Sequence, residues 1–137
     1  MNLPILLDTC ALIFMVEDQL AASAEQALGD AYAASHPALV SPVSAWEIGQ
    51  LSARGRLRIA AEPLSWFRRA STRPGVAIAR LPEEVLIASS FLPGTPPRDP
   101  CDRIIIAAAR AIGAAIMTRD RLILAYADEG HLAAIPC

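Results

Sequence analysis

Acidic residues beside predicted helix starts and strand ends are the side chains of this sequence best suited to chemistry. Residues 97–103 read Pro-Arg-Asp-Pro-Cys-Asp-Arg. Asp99 before Pro100 predicts a helix N-cap, because the Asp side chain accepts from an exposed backbone N–H and proline has no N–H to leave unpaired. Asp102 falls at the third helical position, where the helix dipole also favours a carboxylate. One acid is enough to cap a helix, so Asp102 is a candidate for a second role.

Three more acids lie where a sheet would gather them. Asp8 and Asp120 each follow a short apolar run typical of a buried strand. Glu47 lies in the second turn of a helix that Ser41 and Pro42 are expected to start as N-cap and first residue. In parallel sheets, ligands bind beyond the carboxyl ends of the strands. We therefore expect Asp8, Glu47, Asp102 and Asp120 to converge at that edge.

The elements that would position these acids alternate along the chain. Strands are predicted at 3–7, 37–40, 76–79 and 114–117, with a last edge strand at 131–135. Helices are predicted at 9–16, 21–35, from 42 toward Gly55, 63–73, 82–92, from 100 to Gly113, and 121–127. This alternation predicts one α/β domain over residues 1–137 with a mainly parallel central sheet.

Clustered carboxylates repel one another, and a divalent cation among them would relieve that repulsion. Oxygen ligands without His or Cys select hard cations, so Mg²⁺ or Mn²⁺ is expected. A water activated by such a cation is a standard route to phosphodiester hydrolysis without a histidine base. This route would leave a 5′-phosphate and a 3′-hydroxyl, whereas attack by a 2′-hydroxyl would leave a cyclic phosphate.

Composition restricts the other possibilities. Of the 137 residues 54% are hydrophobic, but no apolar run is long and uninterrupted enough for a membrane span, and no basic segment precedes the first run as in a signal peptide. Three widely spaced cysteines indicate neither a disulfide framework nor a zinc site. We therefore expect a cytoplasmic protein with no membrane partner.

Four motifs resemble, in order and spacing, those of PIN-domain ribonucleases, and the closest likeness is to VapC-type toxins of bacterial toxin–antitoxin pairs. The motifs are Leu6-Leu7-Asp8-Thr9, Ser44-Ala45-Trp46-Glu47-Ile48, Asp99-Pro100-x-Asp102-Arg103 and Thr118-x-Asp120. The resemblance covers nearly the whole chain. It implies a three-layer α/β/α fold, a Mg²⁺- or Mn²⁺-dependent endoribonuclease, a homodimer, and a small antitoxin that blocks the site.

The resemblance also implies roles for individual residues. Asp8, Glu47, Asp102 and Asp120 fall on the acidic quartet of the family and would bind the metal. Four others would support the quartet: Thr9, Ser44, Asp99 and Thr118. Two positions depart from the family pattern, since Cys101 stands where an aromatic residue is common and no His precedes the Asp-Pro pair. Neither departure removes an acid.

The charge of the chain bears on an RNA partner. The net charge is −2, which by itself argues weakly against nucleic acid, but the balance becomes positive once four acids are assigned to a cation. All twelve basic residues are Arg, which suits phosphate contacts through two nitrogens, although genomic base composition is the favoured explanation for this bias. Four of them adjoin the acids in sequence and are candidate RNA contacts: Arg98, Arg103, Arg119 and Arg121.

Other classes of protein fit the sequence less well. A phosphoacceptor receiver domain needs a site lysine, and a P-loop enzyme needs a Gly-Lys pair, but the chain contains no Lys. A haloacid-dehalogenase-type phosphatase needs a second Asp two residues after the first, where this chain has Cys10. A housekeeping RNA-processing nuclease of the same fold, or a catalytically silent PIN fold used for binding, stays open as an alternative.

Overall fold

A computed structural model describes residues 3–59 and 61–137. Met1, Asn2 and Ala60, which belong to the expected domain of residues 1–137, lie outside the described residues. The strands are β1 (Ile5–Leu7), β2 (Ala38–Val40), β3 (Val76–Ile78), β4 (Ala115–Thr118) and β5 (Ala133–Pro136). The helices are α1 (Thr9–Val16), α2 (Ala22–Ala33), α3 (Pro42–Ala53), α4 (Pro63–Ser71), α5 (Glu83–Ala88), α6 (Pro100–Ile112) and α7 (Arg121–Asp128).

In the described part of the chain the five strands form one parallel sheet in the order β3-β2-β1-β4-β5. In the centre of the sheet, Leu6 of β1 pairs in register with Leu39 of β2 and Ile116 of β4. The strand that directly precedes Asp8 is therefore flanked on both sides, and Asp120 follows the neighbouring strand β4. The fold is α/β with a parallel sheet, as the alternation of elements predicts.

Side chains of β1 alternate between two cores because successive strand residues point to opposite faces of a sheet. Leu7 packs in the core that receives α1, α2 and α4, while Leu6 packs in the core that receives α5, α6 and α7. Helix α3 contacts both α4 and α6, so it lies at the junction of the two helical layers. The central strands β1 and β4 are consequently buried on both faces, which explains why they read as continuous apolar runs, whereas β2 and the edge strands β3 and β5 are partly exposed.

Helix α5 is the clearest departure from the sequence prediction, which expects a helix over 82–92. It ends at Ala88, where the hydroxyl of Ser89 donates to the carbonyl of Leu86. That side-chain bond offers the backbone an alternative to continuing the helix, and Pro93 soon prevents its resumption. The predicted helix 121–127 instead extends to Asp128.

No helix among the described residues is both long and apolar enough to cross a membrane.

Candidate functional site

Asp8 lies between the end of β1 and the start of α1. Its Oδ1 accepts from the backbone N–H of Ala11 at 2.7 Å, so Asp8 is the N-cap of α1. Its Oδ2 accepts a hydrogen bond from the hydroxyl of Thr118 on β4. Asp8 is 5% exposed and Thr118 is fully buried, so both oxygens of this carboxylate are held by groups that cannot move away into solvent.

Asp120 has the same double position after β4. Its Oδ1 accepts from the N–H groups of Leu122 and Ile123 at 2.8 and 3.1 Å, which makes it the N-cap of α7. The backbone N–H of Asp120 donates to the hydroxyl oxygen of Thr118 at 3.0 Å. Thr118 therefore connects the two acids, donating to Asp8 and accepting from Asp120.

Glu47 is held from α1. The hydroxyl of Thr9 donates to Glu47 Oε1, and the Thr9 oxygen lies 2.9 Å from the hydroxyl of Ser44. Thr9 and Ser44 are buried, whereas Glu47 is half-buried. Because Ser44 lies one turn before Glu47 on α3, this hydroxyl pair fixes the start of α3 against the start of α1.

Asp102 lies in the first turn of α6, where the sequence predicts it. Asp99 is the N-cap of this helix, and its Oδ1 accepts from the backbone N–H of Asp102 at 3.0 Å. The carboxylate of Asp102 is half-buried. Asp99 therefore fixes the backbone of Asp102 and leaves the Asp102 side chain free of the capping role.

The structure brings the four predicted acids within electrostatic reach of one another. The pKa of Asp102 is raised to about 7, mainly by burial and then by the negative charges of Asp99, Asp120, Glu47 and Asp8. Burial is also the largest cause of the raised pKa of Asp8, which hydrogen bonds from Thr118 and Ala11 oppose. The charges of Asp8, Glu47 and Asp120 all act on Asp102, so the four carboxylates are near enough to interact electrostatically.

Burial likewise raises the pKa of Glu47, and the hydrogen bond from Thr9 opposes that increase. The charges of Asp99, Asp8 and Asp120 raise it further. Thr9 and Thr118 therefore act alike: each donates to an acid and lowers its pKa, which favours the charged form that burial disfavours.

Cys10 is a member of this neighbourhood that the sequence reasoning missed. Its exposed thiol has a pKa of about 11, raised by burial of part of the group and then by the charges of Asp8, Glu47, Asp120 and Asp102. One thiol therefore experiences the field of all four acids. Cys10 directly follows Asp8 and Thr9 in sequence, and that adjacency alone could have predicted its proximity to a site acid.

The residues fit a hard divalent cation by their chemistry. As the side chains stand, no group of three Asp, Glu, His or Cys residues within 3–59 and 61–137 is close enough together to form a metal site. The donors of the cluster are nevertheless carboxylate and hydroxyl oxygens, and no Arg or His among the described residues contributes to the pKa shifts of Asp8, Glu47 or Asp102. A cation from solution would supply the positive charge that this cluster lacks.

The four candidate RNA-binding arginines differ in their surroundings. Arg98, directly before Asp99, and Arg121, directly after Asp120, are exposed. Arg103 is half-buried and donates from Nε to the carbonyl of Pro97 at 2.8 Å. Arg119 donates to the carbonyls of Cys137 at 2.6 Å and Gln19 at 3.2 Å.

The Arg119 guanidinium also lies 3.9 Å from the centre of the Phe14 ring. The structure therefore gives Arg119 three partners from three segments of the chain. Those partners connect the turn between Thr118 and Asp120 to α1 and to the end of β5. Its contact with RNA stays a prediction, as do those of the other three arginines.

Comparison with known proteins agrees with this architecture. The sequence matches the PIN domain family over residues 5–129. The structure of VapBC2 from Rickettsia felis, bound to a DNA fragment from their promoter, is similar at a TM-score of 0.65 and 11% identity, covering 96% of this chain and 97% of that chain. FitAcB from Neisseria gonorrhoeae is similar at a TM-score of 0.52 and 17% identity, covering 96% of each chain. No curated protein matches the sequence significantly.

Proposed function

The chain belongs to the PIN domain family, and from that premise we propose that it is a Mg²⁺- or Mn²⁺-dependent endoribonuclease acting as the toxin of a toxin–antitoxin pair. One observation carries the proposal. Acids from four separate elements lie close enough that the charges of Asp8, Glu47 and Asp120 all raise the pKa of Asp102, without a compensating charge from the described arginines. A protein gains no stability from such a cluster, so the arrangement is best explained by a ligand that needs it.

Asp8, Glu47, Asp102 and Asp120 would hold the cation. When bound, the cation would lower the pKa of a water and offset negative charge on a phosphodiester. Asp8 and Asp120 are fixed through Thr118, so their relative position is set by β1 and β4 rather than by flexible side chains. Thr9 and Ser44 orient Glu47 in the same way.

Support for the toxin role comes from the four motifs and from the shared fold. The motif order is that of VapC-type toxins, and VapBC2 has the same fold over nearly the whole of both chains. The proposal includes a small antitoxin that blocks the acidic site, a homodimer, one domain over residues 1–137 and a cytoplasmic location. Arg98 and Arg121 are exposed and adjoin Asp99 and Asp120 in sequence, which supports a role for them as phosphate contacts.

The test compares the wild-type chain with Asp8→Asn and Asp102→Asn on RNA, in Mg²⁺ or Mn²⁺ and in EDTA. Asp128→Asn is the matched control, because Asp128 is exposed at the far end of α7. We expect each site variant to lose more than about 100-fold in cleavage rate, and the wild-type products to carry 5′-phosphate and 3′-hydroxyl ends. Cleavage that persists in EDTA and in both site variants, or that leaves cyclic phosphates, would refute the metal-nuclease proposal.

Expression in cells separates the biological roles. Growth arrest that requires Asp8 and is relieved by a small protein encoded beside this gene would support the toxin. Metal-dependent cleavage of one precursor RNA without growth arrest would instead identify a housekeeping nuclease. Binding of RNA without cleavage in any metal would identify a silent binding module.

A further inference from the structure

The loop that leads into α6 is attached to the far end of α7. Residues 93–98, here called the entry loop, include three prolines and are followed by the capping Asp99. Pro97 is buried, whereas most of the other loop residues are exposed, so the side-chain packing of the loop is concentrated near the start of α6. Whatever holds the entry loop also determines where α6 begins, and with it the position of Asp102.

Two side chains from the end of α7 hold the entry loop. The hydroxyl of Tyr126 donates to the carbonyl of Pro93 at 2.7 Å, and the ring of Tyr126 is fully buried. Glu129, the residue that follows α7, accepts from the backbone N–H of Thr95 at 2.9 Å. Both bonds reach the backbone of the loop, so they fix its path regardless of the loop side chains.

Gly94 shows how closely the two segments approach. Its φ is +69°, a conformation that side chains with a Cβ rarely adopt. A Cβ at this position would lie 2.4 Å from Glu129 Oε1 and 2.8 Å from the His131 ring. The backbone of the entry loop therefore packs directly against the segment after α7, with no room for a side chain between them.

We propose that Tyr126 and Glu129 are positioning residues for Asp102. Helix α7 begins directly after Asp120, a site acid, and brings Tyr126 and the following Glu129 to the loop that leads to Asp102. Helix α7 thereby links Asp120 to Asp102, so the position of β4 helps determine where α6 begins. The functional part of this inference rests on the proposed function, whereas the attachment itself does not.

Glu129→Ala tests the attachment, with Glu129→Gln as the rescue and Asp128→Ala as the control. The amide oxygen of Gln can still accept from Thr95, and Asp128 is an exposed neighbour. Because Glu129 is exposed, its replacement by Ala does not endanger folding. In EDTA, we expect amide hydrogen exchange over residues 95–103 to become about tenfold faster in Glu129→Ala and to stay near wild type in the other two variants.

Affinity for Mn²⁺, measured by calorimetric titration, distinguishes positioning from simple structural support. We expect Glu129→Ala to weaken Mn²⁺ binding about tenfold, with Glu129→Gln restoring it and the midpoint of urea unfolding little changed. Tyr126→Phe, which keeps the ring and removes only the donor, should weaken Mn²⁺ binding in the same direction.

Unchanged exchange over 95–103 in Glu129→Ala would overturn the attachment. Faster exchange with unchanged Mn²⁺ affinity would overturn the positioning of Asp102 and leave only a structural bond. If the wild-type chain neither binds Mn²⁺ nor cleaves RNA, the proposed function fails and the positioning role fails with it. The exchange rates in EDTA still decide the attachment in that case.

Discussion

Replacing Asp102 by Asn should stabilise the metal-free protein at neutral and alkaline pH. Burial and the neighbouring acids raise the pKa of Asp102 from 3.8 to about 7, so its charged form is disfavoured in the folded state. The carboxyl group thus contributes stability that is fully present below pH 4 and is lost as the pH rises through about 7. Asn is uncharged at every pH, so the variant does not lose stability as the pH rises.

The size of the effect follows from the shift. In a fully desolvated site such a shift would correspond to on the order of 4 kcal/mol, but solvent screening at half-buried Asp102 reduces it to about 1–2 kcal/mol. The dipole of α6 favours the charged form at this position and opposes the gain by about 0.5 kcal/mol. We therefore expect a net stabilisation of about 1 kcal/mol at pH 8, or about 3–4 °C in Tm.

The assay is urea unfolding in EDTA at pH 5 and pH 8, with Asp128→Asn as the control. The difference between Asp102→Asn and wild type should be small at pH 5 and favour the variant at pH 8. Added Mg²⁺ should reverse the order at pH 8, since the wild-type chain alone keeps the full set of acids. A variant that is less stable than wild type at pH 8 in EDTA, or a difference independent of pH, would refute the electrostatic reasoning.

Three further predictions test individual contacts. Thr118→Val should lower the free energy of unfolding by about 1–3 kcal/mol and raise the pKa of Asp8 further, as measured by urea unfolding and NMR titration, because a buried donor to that carboxylate is lost; an unchanged pKa would contradict the assigned bond. Arg119→Gln should lower Tm by a few degrees by releasing the carbonyl of Cys137; an unchanged Tm would contradict this structural role, and KM for RNA measured on the same variant tests the predicted phosphate contact. Alkylation of Cys10 should be slow at pH 7, because its thiol pKa is about 11, and should accelerate when Mg²⁺ offsets the nearby negative charge; insensitivity to Mg²⁺ would argue against binding beside Cys10.

Local sequence was sufficient to predict the central strands and the ends of several helices. The apolar runs predict the central strands because residues buried on both faces of a sheet leave no polar alternation. Ser41-Pro42 and Asp99-Pro100 predict the starts of α3 and α6, and Gly113 predicts the end of α6, because capping depends on one or two residues and their backbone angles. The site acids could be chosen for the same reason, since strand ends and helix starts indicate where they lie.

Other features depend on groups far apart in the chain, which spacing alone does not reveal. The sequence indicates that Asp8 and Asp120 follow strands, but only the packed sheet places Thr118 between them, across 110 positions from Asp8. Arg119 adjoins an acid in sequence, yet its guanidinium turns to Phe14 and the end of β5.

The sequence by itself determined which elements form and which acids stand at the edge of the sheet, because short-range propensity and hydrophobic periodicity encode both. Tertiary structure alone decided how those acids are held. Thr9 and Thr118 donate hydrogen bonds to acids of other segments, and Tyr126 and Glu129 hydrogen-bond the backbone of the entry loop. These segments come together only when the two cores pack. The direction of a side chain depends on which partners packing brings within hydrogen-bonding distance, and that is a property of the whole fold.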